Sequence, residues 1–239
     1  MTRCAEWSRA RCGLFLASLA FLAARAAQLR AQDTLSVVAS DGGLIAADLY
    51  GTGPRGVVLA HGGRFDRSSW REQALVLAEA GFRVLAIDFR AAVQSRAGTD
   101  TPCLYDPTCL AADVLAAVRY LRSTGVQSVA VVGGSLGGGA AAQASVDAAP
   151  GEIDRVVLLA HLAIDHPEKM KGRKLFIVSR DDLGSGNVPR LPGIKEQYAK
   201  APEPKQLVVL EGSAHAQFIF STKQGERLMA ELRRFLSQP

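Results

Sequence analysis

The chain has 239 residues, 48% of them hydrophobic and 21% charged, which is the balance of an ordinary folded domain and excludes disordered, fibrous and multi-span membrane classes. The formal net charge is +5, but four arginines and one glutamate of that balance lie in residues 1–26, so the remainder is close to neutral and carries no basic stripe of the kind that binds nucleic acid.

The first segment has its own logic. Three arginines in "MTRCAEWSRAR" precede the uncharged run "CGLFLASLAFLAA" and then "ARA", the three-part layout of a secretory signal peptide. The apolar run of 13 residues is too short to span about 30 Å of hydrocarbon as a helix. We expect residues 1–26 to be a leader, with cleavage fitting after Ala26 or after Ala31, and a periplasmic or secreted protein without a stable membrane span after cleavage. An uncleaved membrane anchor and an organellar transit segment are the alternatives. Residues 33–239 are then one domain.

Two short β-rich segments follow, "TLSVVAS" and "LIAADLYG", joined by the turn signal "DGG". The apolar run "GVVLAHGG" reads as a buried strand, and "SSWREQALVLAEAG" has helical spacing of Trp70, Ala74, Leu77 and Ala78 with Gly81 as its stop. The alternation continues: strand "FRVLAIDF", helix "AADVLAAVRYLRSTG", strand "SVAVVGG", a helix from Leu136, strands "IDRVVLLA" and "KLFIVSR", helix "RLPGIKEQYAKA", strand "KQLVVLEG" and a final amphipathic helix "TKQGERLMAELRRFLSQ". Apolar strands alternating with helices predict an α/β fold: a doubly wound, mostly parallel sheet with antiparallel edge strands at its N-terminal side. The short interval between "VVLLA" and "KLFIV" leaves no room for a large cap domain there.

The chemistry concentrates in "GGSLG", residues 133–137, a G-x-S-x-G pattern between a predicted strand and a predicted helix. Such a turn projects the Ser135 hydroxyl above the sheet edge and lets its neighbours approach other backbone closely. A phosphate loop is excluded, because alanines stand where a Lys-Ser/Thr pair is needed. A serine needs a base. His215 follows the last strand, and carboxyl ends of parallel strands meet at one edge of the sheet. His61 reads as a loop-shaping residue; His161 and His166, in "AHLAIDHPEK", as packed or solvated loop residues. "SRDD" closes the preceding strand and offers Asp182, or alternatively Asp181, to orient the imidazole. The "HGG" turn and the helix start provide an oxyanion hole from the N–H groups of Gly63 and Leu136, with Arg64 competing with Gly63. No metal-site spacing is present, and no cofactor is expected. Cys103 and Cys109, an even pair in an exported chain, predict one disulfide.

From about residue 34 onward the chain resembles α/β-hydrolases of the small, lidless kind, similar to dienelactone hydrolases and esterase-like relatives, on "LAHGG", "GFRVLAIDFR", "VVGGSLGG", "LFIVSRDD" and "EGSAHAQF". The resemblance implies a Ser135–His215–Asp182 triad acting on a small-molecule ester through an acyl-enzyme. Amide or peptide cleavage by the same triad, and a non-catalytic binding protein on this fold, are the competing readings. One departure stands out: relatives commonly carry R-G-x-G-x-S after the fourth strand, whereas this chain reads "FRAAVQSR", so the rim there must differ locally.

Overall fold

Uninterrupted apolar runs become the central strands of a sheet, buried on both sides, and the more mixed runs become its partly exposed edges. In the computed structural model, which describes residues 32–40, 42–96, 106–161 and 163–238, they form one eight-stranded sheet. The strands are β1 (Gln32–Val38), β2 (Leu44–Tyr50), β3 (Arg55–Ala60), β4 (Phe82–Ile87), β5 (Ser128–Gly134), β6 (Arg155–Leu159), β7 (Arg173–Ser179) and β8 (Lys205–Leu210). Their spatial order is β1-β2-β4-β3-β5-β6-β7-β8. β1 pairs antiparallel with β2, and β2 with β4. Every pairing from β4 to β8 is parallel. The two early segments thus form the antiparallel edge, and the parallel body is doubly wound.

The helices are α1 (Arg71–Glu79), α2 (Arg90–Arg96), α3 (Pro107–Ser123), α4 (Leu136–Asp147), α5 (Arg190–Lys200) and α6 (Gly225–Ser237). They cover both faces. Val114, Val118 and Leu121 of α3, Ala140 and Ala144 of α4 and Ile194 of α5 pack on one face with Val58, Val131 and Phe176. Ala74 and Leu77 of α1 and Leu228, Leu232 and Phe235 of α6 close the other face over Val57, Val132 and Ile177. Helix α4 is buried almost all round, which explains why its sequence is alanine and glycine without a polar stripe.

Between β6 and β7 there is only a short connection with one 3-10 turn, Pro167–Lys169, and no described segment inserts a cap over the sheet edge. The segment "FRAAVQSR" becomes helix α2. Ala91 and Ala92 are buried in it, and Asp113 of α3 holds its start by accepting from Arg90 N at 3.0 Å and Arg90 Nε at 2.7 Å. The expected leader and Cys103 lie outside the described residues. Cys109 occupies the first turn of α3.

Candidate active site

Ser135 stands between β5 and α4 with φ 51° and ψ −110°, a backbone conformation that L-residues rarely hold. The turn is tight enough to explain the glycines. A Cβ on Gly133 would lie 2.1 Å from the Gly137 carbonyl oxygen, and one on Gly137 would lie 2.3 Å from that of Ala60. Ser135 N donates to Leu159 O at 2.8 Å, which fixes the elbow to the end of β6.

The loop after β8 brings His215 to this turn. Its Nε2 is 2.8 Å from Ser135 Oγ, and its Nδ1 is 2.8 Å from Asp182 Oδ2. A carboxylate only accepts, so Nδ1 carries the proton and Nε2 is left to accept from the serine hydroxyl. Asp182 is 1% exposed and His215 27%, so the carboxylate is sealed while the imidazole faces the rim. Asp181 is exposed and its N–H donates to Gly212 O at 2.9 Å; Asp182, and not Asp181, meets the imidazole. Two fasteners set this geometry. Ser179 Oγ donates to Ala214 O at 2.6 Å, tying the aspartate turn to the histidine loop. Arg190, the first residue of α5, donates its backbone N–H to Asp182 O at 3.0 Å and holds Nε 3.6 Å from Asp182 Oδ1.

The "HGG" turn lies alongside. A Cβ on Gly63 would meet Leu136 Cδ2 at 3.6 Å, so the Gly63 backbone faces the N-terminus of α4. The first N–H groups of a helix lack intrahelical partners and sit at the positive end of its dipole. Among the described residues neither Gly63 nor Arg64 commits its N–H to a hydrogen bond, whereas Gly62 N donates to Gln217 Oε1 at 2.7 Å. Gly62 N–H is therefore committed, while Gly63 and Arg64 keep theirs available among the described residues.

The remaining histidines are placed elsewhere. His61 is fully buried, with Nδ1 donating to Gly62 O at 2.8 Å and Nε2 accepting from Phe89 N at 3.3 Å. It shapes the loop. His161 is packed between Phe176, Gln197 and Gly138, and burial pushes its imidazole down to about 4. His166 is exposed and meets Glu168 at 3.2 Å. Among the described residues no three His, Cys, Asp or Glu side chains are grouped to hold a metal ion, and no helix is long and apolar enough to cross a membrane.

Sequence reasoning passed over Gln217, Ser179 and Arg190. For Gln217 a signal existed: an amide in the apolar run "HAQFIF" has to find partners once buried. Ser179 and Arg190 act through pairings that only the fold creates.

An open α/β sheet with a strained serine elbow, a hydrogen-bonded histidine and an aspartate at its carboxyl edge defines a class of architecture. The family model of the alpha/beta hydrolase fold matches residues 56–182, just over half of the sequence, and the chain belongs to that family as a small member. Solved structures share the fold. A dienelactone hydrolase from Anabaena variabilis is 23% identical, with a TM-score of 0.67 over 86% of this chain and 94% of that one. An esterase from Exiguobacterium antarcticum is 16% identical, with a TM-score of 0.67 over 86% of this chain and 100% of its own. An esterase from a Rhodococcus species is 19% identical, with a TM-score of 0.66 over 86% and 98%. At these identities the likeness is one of fold.

Proposed function

We propose that this protein is a serine hydrolase that cleaves small carboxylic esters. The reading rests above all on one observation, the unbroken run Ser135 Oγ–His215 Nε2 and His215 Nδ1–Asp182 Oδ2, with both distances 2.8 Å. Ser135 Oγ attacks the ester carbonyl while its proton passes to His215 Nε2, and the charge on the former carbonyl oxygen is met by the N–H groups of Gly63 and Leu136. The imidazolium returns the proton to the leaving alkoxide, which departs as the alcohol. Water then gives its proton to the same nitrogen and attacks the acyl-enzyme. The acid leaves and the proton returns to Ser135. Asp182 holds the ring in the Nδ1–H tautomer and stabilises the imidazolium throughout.

The rim supports an apolar ester substrate. Phe218, whose N–H donates to His215 O, is 46% exposed, and its ring meets that of Phe65, the second residue after Gly63, in a tilted contact with centroids 4.9 Å apart. Leu183, next to Asp182, is 49% exposed. Export to the periplasm or beyond, with a Cys103–Cys109 bridge, belongs to the same proposal and is read out by the intact mass of the protein recovered from its native host.

A fluorophosphonate probe tests the reading. The folded wild type is expected to label covalently and to hydrolyse p-nitrophenyl esters, and Ser135→Ala to do neither. Absence of labelling in folded wild type, or labelling that persists in Ser135→Ala, overturns it.

A further inference from the structure

The peptide joining Gly62 to Gly63 is held from every side. Gly62 O accepts from His61 Nδ1 at 2.8 Å and from Phe65 N at 3.0 Å. Because a trans peptide sets its C=O and N–H in opposite directions, these bonds fix where Gly63 N–H points. What remains is rotation about Gly62 itself, and that is stopped from the far side by Gln217 Oε1, which accepts Gly62 N–H at 2.7 Å across 155 residues of chain.

The Gln217 amide has one permitted orientation. Ser69 Oγ donates to Asp66 O at 2.6 Å, so towards Gln217 it must accept, and Gln217 Nε2 donates to it at 2.7 Å. The amide oxygen is thereby aimed at Gly62. Gln217 is 6% exposed. It packs on the strand that leads to Ser135: a Cβ on Gly134 would meet Gln217 Oε1 at 3.2 Å. Ala216, between His215 and Gln217, has φ 47°, and this strained turn sends His215 to Ser135 and Gln217 to the "HGG" loop.

On the hydrolase reading above, we infer that Gln217 is the positioning residue for oxyanion stabilisation, locking the Gly62–Gly63 peptide so that Gly63 N–H is aimed before substrate arrives. It touches neither substrate nor the reacting atoms. It acts through the loop, and it couples that loop to the segment carrying His215. Preorganised donors need no rearrangement during reaction, and a misplacement of about 1 Å in such a site costs on the order of 100-fold in rate.

The test uses Gln217→Leu, which keeps the bulk and removes both hydrogen bonds, beside Ser69→Ala, which frees the amide to flip. Four quantities are measured on the intact protein: kcat and KM on p-nitrophenyl acetate, inhibition by phenylboronic acid, the downfield proton resonance of His215 Nδ1–H, and hydrogen exchange at the Gly62 amide. Gln217→Leu is expected to lose roughly 10- to 100-fold in kcat with KM changed less than about threefold. Boronate affinity should fall in parallel, the His215 resonance should persist, and Gly62 exchange should accelerate. Ser69→Ala should move the same quantities in the same direction by less. Wild-type kcat in Gln217→Leu overturns the inference, as does a kcat loss accompanied by loss of the His215 resonance, which would place the effect on the base. Failure of the hydrolase reading is distinct: a wild type that neither labels nor hydrolyses sinks that reading, while Gly62 exchange that is fast in the wild type, or unaltered in Gln217→Leu, sinks the clamp whatever the activity.

Discussion

Two adjacent carboxylates, Asp181 and Asp182, had equal standing on residue type alone. The turn after β7 separates them: one side chain is exposed, and the other is sealed against the imidazole. Their substitution should therefore diverge. Asp182→Asn removes the charge that stabilises the imidazolium and offers an amide that can impose the wrong tautomer. We expect kcat to fall by about 10³–10⁴ with KM nearly unchanged. Asp181→Asn should stay within about twofold of wild type, as expected of an exposed side chain away from the imidazole. Steady-state kinetics on one ester settles the pair, and equal losses would contradict the assignment. Some site residues announced themselves through type and position, as Ser135 did in G-x-S-x-G and His215 after the last strand. Arg190 did not, because its interest lies in an approach to Asp182 that no local pattern encodes.

At the scale of the element, the serine turn and helix α4 depend on absent side chains. Gly137→Ala would place its Cβ 2.3 Å from Ala60 O and 2.6 Å from His61 O. Both are backbone atoms, which cannot rotate away, so β3 and the "HGG" turn must move together. Destabilisation of about 3 kcal/mol or more is expected in chemical denaturation, together with loss of labelling at Ser135. Gly193→Ala is the control. It lies in α5 with nothing within 4 Å of the added methyl, and it should stabilise by up to about 1 kcal/mol. The segment "FRAAVQSR" belongs to this scale as well. Alanine in place of permissive glycine signalled a local departure; that the departure is a helix, with Asp113 accepting from its first residue, came from packing against α3.

For the molecule as a whole, the buried His161 makes stability depend on pH. Burial is the main reason that its imidazole is pushed down to about 4 from the usual 6.5; the bond to Gln197 works upward, and the nearby Arg190 downward. Between those values the unfolded chain takes up a proton that the folded protein refuses. Stability therefore declines as pH falls from about 6.5 towards 4, by up to about 3 kcal/mol, and is insensitive to this group above 6.5. Thermal unfolding from pH 4 to 7.5 should show a shallower acid limb in His161→Gln than in the wild type; parallel limbs would contradict the assignment.

The amino-acid sequence by itself determined the alternation of strands and helices, because burial of a parallel sheet on both faces demands continuous apolar runs, and covering helices demand a 3.6-residue stripe. It also determined the serine turn, since only a run of glycines permits such close backbone contacts. The tertiary structure decided what depends on distance: which aspartate meets His215, and that Gln217 reaches back 155 residues to accept from Gly62 N–H. Periodicity and motif are properties of neighbours in the chain. A hydrogen bond between segments exists only once strand order and crossover connections have brought those segments to the same edge of the sheet.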